Sequence, residues 1–377
     1  MKNHNFTILL VIDNKYEGRY CRDLVAGFHD QYPEVNLIFI SIERCETPAW
    51  LIEFGNCVPL SSNIKFLLLR ALSLIWQLRR FDFDIIKTHL FYSGIFGLVL
   101  GRLFSKPVIH TRHHLDENWQ LGTRLHVFLD QISMRFSRHV VTFSQATKDW
   151  IVEREKVPAD KVTVINQGFD FSSLQPSKRE VEKSANDIDF HNETFNIICV
   201  SRYLEIKGQK TLVDAVDLLT RDKNGVSLDK DIHVAFIGLG DAGWLVKYIK
   251  AKGQENRMTC YAARTDVPAC IAAADLVCHP SMADSFSQLI IEAQAVGTPI
   301  IATRTAGAPE QILEGVTGII VNPGDSKELA NAILVMKKDQ VSAKKMGVAA
   351  KAHVRQMFSL ERMIQNQLDF LTSKSRN

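Results

Sequence analysis

The sequence predicts an α/β protein made of two doubly wound domains, each with a parallel sheet covered by helices. Short apolar strands alternate with helical stretches in the first half, a polar and charged stretch follows, and the alternation restarts at Phe195. Strands that alternate with helices are typical of parallel sheets built from βαβ units. A chain of 377 residues is also too long for one typical core, so two domains are expected.

In the first half, apolar runs predict six strands and two clear helices. The helix over 63–80 is apolar with basic ends. This pattern suits a core helix whose charged ends reach water, and docking on an anionic membrane surface is the alternative. The other helix is predicted over 123–136, and the strands over 7–12, 35–41, 85–88, 108–111, 140–143 and 162–166.

The second half begins after a polar stretch over 173–194, which lacks an apolar period and is predicted to be a linker or an exposed loop. Strands are predicted over 195–201, 232–238, 258–261, 275–280, 298–303 and 317–322. A deep cleft between the domains is expected, because ligands of such sheets bind beyond the carboxyl ends of the strands. The predicted segments are 1–172, 195–356 and a final 357–377, which carries an amphipathic helix over 359–373.

Composition excludes several classes of protein. A hydrophobic fraction of 46% and a charged fraction of 23% are those of a globular protein, and a net charge of +3 is no nucleic-acid signature. The seven cysteines form no C-x-x-C pair, which favours reduced thiols in the cytoplasm. The first residues lack a cleavage pattern, and no stretch of about 18 residues is apolar and uncharged, so neither a signal peptide nor a transmembrane helix is expected.

The stretch 278–303 carries two carboxylates where a strand gives way to a helix. Asp284 precedes the helical pattern and Glu292 follows eight residues later. If the segment is helical, this spacing is roughly 12 Å along the axis, which is longer than the ~5–9.5 Å of glycosidase acid pairs. It suits an elongated ligand with its anionic centre at the helix N-terminus, such as a sugar–diphosphate–ribose chain. Two solvated surface acids are the alternative.

Two other patterns lie at strand ends in the same half. Arg202 and Lys207 follow the strand over 195–201 and can converge on one anion, as a departing diphosphate requires. The stretch 238–243 reads G-x-G-x-x-G, but it follows the second strand of its domain, and the next strand ends near Arg264 without the acid expected for a ribose hydroxyl. We interpret it as a turn that shapes the pocket for the sugar–diphosphate–ribose ligand, and NADP binding through Arg264 is the alternative.

Histidines mark the corresponding strand ends of the first half. His89 ends one strand, and His110, Arg112, His113 and His114 lie at or after the end of another. No further Cys or His set with metal-ligand spacing lies nearby, so contacts with an anion or a sugar are favoured over zinc. A structural, hydrogen-bonded role is open for each histidine.

Taken together, these residues resemble the retaining GT-B glycosyltransferases of the family-4 type, the glycosyl transferases group 1. Asp284 and Glu292 match the family's E-x7-E element, and Arg202 and Lys207 match its basic pair. The stretch 305–325 is similar to the family's G-G-x-x-E turn and T-G-x-x-V strand. His113 falls on the histidine of the family's T-x-H motif.

The resemblance implies a role for each matched position. Asp284 would bind donor-sugar hydroxyls, Glu292 ribose hydroxyls, and Arg202 with Lys207 the diphosphate, while His113 would lie near the reacting centre. The catalytic set would be His113, Arg202, Lys207 and Asp284. The first domain would bind the acceptor through His89, His110, Arg112 and His114, and the second domain would bind the donor through Arg202, Lys207, Gly240, Arg264, Asp284, Ser285, Phe286, Ser287, Gln288 and Glu292.

The sequence departs from the family pattern in two places. Asp284 replaces the usual first glutamate, and Ser285-Phe286-Ser287 replaces the usual G-x-G. The family's N-terminal Gly-Gly loop is reduced to Glu17-Gly18-Arg19, so the pattern does not predict phosphate contact there.

The implied function is transfer of a sugar, with retention, from a UDP- or GDP-sugar to a hydroxyl of a saccharide or lipid-linked saccharide. The resemblance further implies metal-independent catalysis without a cofactor, and a place in polysaccharide or lipopolysaccharide assembly at the cytoplasmic face of a membrane. The alternatives are a nucleotide-sugar epimerase or phosphorylase-like enzyme of the same fold, an NADP oxidoreductase, and a non-catalytic sugar-binding protein.

Overall fold

The computed structural model describes residues 6–13, 19–43, 56–61, 67–89, 91–113, 124–220 and 231–375. The chain divides into two compact units. The first unit comprises Met1–Phe169 together with Phe358–Asn377, and the second comprises Asp170–Met357. The last segment of the chain is therefore part of the first unit.

The first unit is built on a seven-stranded parallel sheet with the order β3-β2-β1-β4-β5-β6-β7. Leu9 and Val11 of its first strand pack with Leu74, Leu78 and Leu100 in the core. The strand β3 is absent from the sequence prediction, because its six residues include a proline and an asparagine and show no clear apolar run. The strands are β1 Thr7–Asp13, β2 Asn36–Glu43, β3 Asn56–Ser61, β4 Ile85–His89, β5 Val108–Arg112, β6 His139–Thr142 and β7 Val162–Val164.

Six helices accompany this sheet among the described residues: α1 Arg19–Gln31, α2 Leu67–Leu78, α3 Phe91–Phe104, α4 Arg124–Phe136, α5 Gln145–Arg154 and the last helix of the chain, α14 Leu360–Ser375. The last helix packs closely on α1, where a Cβ at Gly27 would lie 2.6 Å from Ile364. The helix predicted over 63–80 corresponds to α2, which spans Leu67–Leu78. Leu74 and Leu78 are buried, whereas Trp76 is 58% exposed with the Arg80 guanidinium 3.8 Å over its ring.

No helix in the described part of the chain is both long enough and apolar enough to cross a bilayer.

The second unit is built on a six-stranded parallel sheet with the order β10-β9-β8-β11-β12-β13. Alternate residues of β8 enter two cores, since Ile197 and Cys199 face one layer of helices and Ile198 faces the other. The elements are β8 Phe195–Val200, β9 Ile232–Gly238, β10 Met258–Ala262, β11 Leu276–His279, β12 Ile300–Thr303, β13 Ile319–Val321, α6 Lys178–Asp187, α7 Gln209–Thr220, α8 Gly243–Ala251, α9 Val267–Ala273, α10 Gln288–Val296, α11 Ala308–Gln311, α12 Ser326–Lys338 and α13 Gln340–Met357.

The strand order fixes where each unit can hold a ligand. The order reverses between β1 and β4 in the first sheet and between β8 and β11 in the second. In open α/β sheets the ligand crevice lies at such a reversal, outside the carboxyl ends of the strands. The residues that follow Val200 and His279 are therefore at the ligand edge of the second unit, and Asp13 and His89 end the corresponding strands of the first.

The prediction of a linker or exposed loop over 173–194 is wrong, because α6 occupies the middle of this segment. The Ser177 side chain accepts a hydrogen bond from the Glu180 N–H, and the Glu180 carboxylate accepts one from the Ser177 N–H at 2.7 Å. This reciprocal capping box satisfies N–H groups that the helix itself leaves open. The S-x-x-E pattern over 177–180 indicates the start of a helix, but the segment lacks the apolar period by which helices are usually predicted.

Substitution of Ser177 by alanine should destabilise the protein by about 1 kcal/mol, because it removes the cap of α6. Urea unfolding followed by far-UV circular dichroism measures the change. Glu180→Gln is the matched control, since glutamine can complete the same box and should remain close to the wild type. Equal stability of Ser177→Ala and the wild type would contradict the capping role.

Candidate functional site

The two loops at the ligand edge of the second unit are joined backbone to backbone. Gly208 has φ of 70°, and a Cβ there would lie only 1.8 Å from the carbonyl oxygen of Pro280. Nearby, the Met282 N–H donates to the Ile206 carbonyl at 2.8 Å. Only glycine accommodates both the left-handed φ and this close approach. The loop after β8 therefore lies directly on the loop after β11.

This contact places Lys207 beside Asp284. The Lys207 Nζ donates to Oδ2 of Asp284 at 3.1 Å, and the Nε2 of His279 lies 3.3 Å from the same oxygen. The three side chains are only 12%, 15% and 4% exposed, so solvent screens the cluster weakly. Burial alone would raise the pKa of the Asp284 carboxyl, but the contacts with His279 and Lys207 outweigh burial and hold this pKa well below its usual range. Asp284 is thus an ionised acid in a nearly dry site.

A non-helical loop carries Asp284 into α10. The helix begins only at Gln288, so the roughly 12 Å separation expected for a helix from Asp284 to Glu292 does not apply. The Gln311 side chain holds this loop, because its Oε1 accepts from the Ser287 N–H at 3.0 Å and its Nε2 donates to the Ser287 carbonyl at 2.8 Å. Ser285, Phe286 and Ser287 are buried. Gln311 carried no motif in the sequence, so its part in the site emerges only from the structure.

Glu292 and Arg202 lie near the carboxyl edge of the same sheet, where β8 ends and α10 begins. Glu292 is half-buried in the second turn of α10. Arg202 is exposed and lies two residues after β8, and the Gln209 Nε2 donates to its carbonyl at 2.8 Å. Gln209, which sequence analysis did not single out, is 1% exposed and also donates to the Ser201 hydroxyl at 2.8 Å. It fixes the backbone from which Arg202 projects.

The glycine-rich turn after β9 packs against the loop that follows β8. A Cβ at Gly238 would lie 1.8 Å from the carbonyl oxygen of Ser201, and Gly240 has φ of 106°. The Tyr203 hydroxyl lies 2.8 Å from the Phe236 carbonyl and 2.6 Å from the Tyr261 carbonyl, and it donates toward both. Gly238 is therefore explained by close packing between neighbouring strand ends and Gly240 by its positive φ, without a dinucleotide.

Arg264 follows β10, which is an edge strand of the sheet, and has its own partners. Its guanidinium donates to both carboxylate oxygens of Asp266, at 2.8 and 2.6 Å, and to Asp187 at 2.9 Å. The bidentate contact holds the pKa of the Asp266 carboxyl below its usual range. A guanidinium that two carboxylates already neutralise has little charge left for a phosphate. The geometry thus argues against the predicted donor contact and against NADP binding through Arg264.

In the first unit the sheet brings His89 and His113 together. The Nδ1 of His89 lies 3.2 Å from the Nε2 of His113, and both rings lie against the Tyr20 ring, with centroid distances of 5.6 and 5.3 Å. His89 is fully buried and His113 is half-buried. Burial is the main cause that lowers the pKa of both imidazoles, that of His113 to about 3. The two rings are therefore neutral at physiological pH.

His110 and Arg112 lie in the interior, on the other side of the sheet. The His110 Nδ1 lies 3.0 Å from the Thr88 hydroxyl, whereas Arg112 donates to the Asp130 carboxylate and to Oε1 of Glu155 at 3.0 Å. Both side chains are at most 2% exposed. This burial argues against the predicted contact of His110 and Arg112 with an acceptor, since alternate residues of β5 point to opposite faces. Their role here is to fill and pair within the core.

The remaining predicted positions of the first unit lie at the border of the described chain. His114, Glu17 and Gly18 lie outside the described residues. The Arg19 Nε lies 3.6 Å from Oδ2 of Asp23, on the first turns of α1. Within the described ranges, no group of three or more His, Cys, Asp and Glu side chains is arranged to hold a metal ion.

The fold and the site define a class of protein, and two family models match the chain. The model of the glycosyl transferases group 1 matches residues 180–353, and that of glycosyltransferase family 4 matches residues 18–173. The chain belongs to the family-4 type of glycosyltransferases, and its two parallel sheets form the GT-B fold. It is a transferase of the EC 2.4 class.

Individual relatives are distant. The chain is 26% identical over 281 residues to the D-inositol 3-phosphate glycosyltransferase of Paenarthrobacter aurescens, a match that covers 72% of this chain and 68% of that protein. It is 29% identical over 289 residues to the protein of the same name from Corynebacterium diphtheriae, covering 72% and 66%.

Solved structures share the fold. The crystal structure of Anabaena HepE in complex with UDP-glucose matches with a TM-score of 0.82 at 22% identity, covering 97% of this chain and 99% of that one. The lipopolysaccharide outer core galactosyltransferase WaaB matches with a TM-score of 0.74 at 15% identity, covering 98% and 99%.

Substitution of Gly208 by alanine should destabilise the second unit by more than about 2 kcal/mol, because the left-handed φ and the overlap with the Pro280 carbonyl add. Thermal unfolding measures the change. Gly315→Ala is the matched control, since its φ of 76° is similar but nothing lies within 4 Å of the added Cβ. Only the cost of the left-handed φ, about 1–2 kcal/mol, should appear there. Equal losses at the two positions would show that the close approach is unimportant.

The ionised state of Asp284 should make stability depend on pH. Because its pKa is lowered on folding, its contribution is present above the unfolded-state pKa of about 3.9 and is lost as the pH falls below that value. Asp284→Asn should therefore lose less stability than the wild type between about pH 5 and pH 2 in urea titrations. Substitution of the exposed Asp160 by asparagine is the control and should keep the wild-type slope. Identical slopes for Asp284→Asn and the wild type would rule out the lowered pKa.

Proposed function

We propose that this glycosyltransferase moves a sugar from a nucleoside diphosphate sugar to a hydroxyl acceptor, with retention at the anomeric carbon. The observation that carries the proposal is the buried, ionised Lys207–Asp284 pair at the strand-order reversal of the second unit. This position is where a doubly wound sheet holds its ligand, and a fixed charge pair suits a polar, anionic one.

Each side chain has a role in this proposal. Lys207 has three N–H donors, so it can keep its bond to Asp284 while it binds a diphosphate oxygen. The exposed Arg202 adds a second cation, and the N–H groups at the start of α10 add a favourable dipole. Asp284 would accept from sugar hydroxyls and Glu292 from ribose hydroxyls.

The reaction would depend on stabilisation of the leaving group. The bond between the anomeric carbon and the diphosphate oxygen breaks while a bond to the acceptor oxygen forms, and the acceptor proton passes to the departing diphosphate. Arg202 and Lys207 would stabilise the negative charge that develops there, so we propose that no metal or cofactor is required.

Treatment with EDTA tests whether the reaction needs a metal ion. Full activity after exhaustive treatment is the expected result, and restoration of lost activity by a divalent cation would contradict it.

The comparisons favour two kinds of acceptor. The WaaB likeness and the sequence resemblance favour a saccharide or lipid-linked saccharide of surface polysaccharide assembly, with contact to the cytoplasmic face of a membrane. The relatives named for D-inositol 3-phosphate favour a polyol phosphate as the second candidate. A UDP-sugar is the first donor to test and a GDP-sugar the second, since the HepE structures hold UDP and UDP-glucose.

The type of reaction and its stereochemistry are tested on the product. Anomeric analysis by NMR distinguishes transfer from epimerisation and retention from inversion.

Thermal unfolding with UDP-, GDP- and ADP-sugars and with NADP is the direct test of donor binding. A ligand at 100 times its Kd should stabilise the protein by about 2.7 kcal/mol. We expect stabilisation by one nucleotide sugar and its loss in Glu292→Ala.

Glu193→Ala is the matched control for this test, because Glu193 is exposed and precedes β8 at the opposite end of the sheet. It should respond to the donor as the wild type does. Stabilisation by NADP alone, or by a nucleotide sugar to the same extent in Glu292→Ala, would overturn the proposed donor site.

A further inference from the structure

A polar cluster lies buried on one face of the first sheet. Lys87 and His89 are two residues apart on β4 and therefore share a face. Tyr20 of α1 and Gln367 of α14 cover this face, and His113 follows the neighbouring strand. Apart from His113, each of these side chains is at most 3% exposed. So much polarity inside a domain requires a reason beyond packing.

Lys87 is the unusual member of the cluster. Its Nζ donates to the Thr111 hydroxyl at 2.9 Å and to Oε1 of Gln367 at 3.0 Å. Among the described residues, no carboxylate lies within ion-pair distance of it. Burial lowers its pKa to about 7, so at pH 6 the ammonium form is retained. A cation without an anionic partner is thus held beneath the histidine pair.

The histidine contact requires one ring to donate and the other to accept. Both imidazoles are neutral, and the Nδ1 of His89 lies 3.2 Å from the Nε2 of His113. The second nitrogen of His89, Nε2, is buried and has no hydrogen-bond partner. If Nε2 of His89 carried the proton, its N–H group would be buried near the Lys87 ammonium and would have no hydrogen-bond acceptor. If it is bare, its lone pair is stabilised by the charge of Lys87.

We propose that His89 is a positioning residue that donates its Nδ1 proton to Nε2 of His113 and so fixes His113 as the tautomer with its proton on Nδ1. The Tyr20 ring contacts both imidazoles, and the Phe143 ring meets His113 edge-on at 5.0 Å, so the ring planes are held as well. The tautomer fixed in this way makes Nδ1 of His113 a hydrogen-bond donor. The consequence for transfer rests on the proposed function, whereas the tautomer does not.

Long-range ¹H–¹⁵N spectra of the intact protein, labelled at histidine and recorded at pH 6, test the tautomer directly. The signals of His113 are those that vanish in His113→Gln. We expect a bare Nε2 and a protonated Nδ1 for His113 in the wild type. A protonated Nε2 on His113 would overturn the inference without any variant of His89.

Two variants of His89 separate positioning from mere packing. In His89→Asn the amide nitrogen replaces Nδ1 and can still donate, so the tautomer of His113 should be retained. In His89→Leu the donor is lost, and mixed tautomers should appear while the melting temperature reports whether the fold survives. His29→Leu, at an exposed histidine of α1, is the control for loss of an imidazole elsewhere. A wild-type His113 spectrum in folded His89→Leu would contradict the inference.

Turnover of the nucleotide sugar that stabilises the protein in the thermal unfolding test adds an independent readout. His89→Leu should lower kcat by about tenfold to a hundredfold, since small displacements of a reacting group have effects of that size, and His89→Asn should recover most of it. Altered His113 tautomers with unchanged kcat would support the positioning by His89 and overturn the role of His113 in transfer. The two failures are therefore distinguishable.

Discussion

The candidate donor site depends on one close approach between two backbones. Gly208 contacts the carbonyl of Pro280 so tightly that no side chain fits between them, and this contact places the loop after β8 on the loop after β11. Lys207 precedes this glycine, and Asp284 follows this proline by four residues. The salt bridge between them thus joins residues that are close in sequence to the contact, and the contact brings the two side chains within reach of each other. A site of this kind is ordered before a ligand arrives, which lowers the entropic cost of binding.

Sequence patterns predict the fold well and the site only in part. Alternating strands and helices predicted two doubly wound domains. This prediction is confirmed, because the hydrophobic period of each element follows from local residue choice. The helix α6 was missed, since its fold depends on a cap at Ser177 and on contacts with α9 that no apolar period announces. Gln209 and Gln311 support the site through amide bonds to backbone atoms. These hydrogen bonds depend on the tertiary structure, which brings each glutamine to its backbone partner, and no sequence motif predicts them.

The histidines of the first unit show why a cluster in sequence need not be a cluster in space. His110 and Arg112 lie on one face of β5, and Thr111 and His113 follow the opposite parity. Sequence proximity suggested one group of four ligand-binding side chains. The pleat instead sends His110 and Arg112 into a core with Asp130, and it pairs His113 with His89 from the neighbouring strand. Parity within a strand can be read from sequence, but the face that meets the ligand depends on register with the next strand.

The return of the last helix to the first unit has a consequence for biosynthesis. Gln367 bonds Lys87 and Tyr20, and Ile364 fills the space beside Gly27, so residues near the end of the chain complete a core that begins at its start. Domains that are continuous in sequence can fold as soon as they leave the ribosome. Here the first unit cannot acquire its full complement of contacts until α14 has been synthesised, whereas the second unit is contiguous and can mature earlier. A nascent chain that stalls before α14 would expose the side chains of α1 that this helix covers, and it would be a substrate for chaperones and proteases.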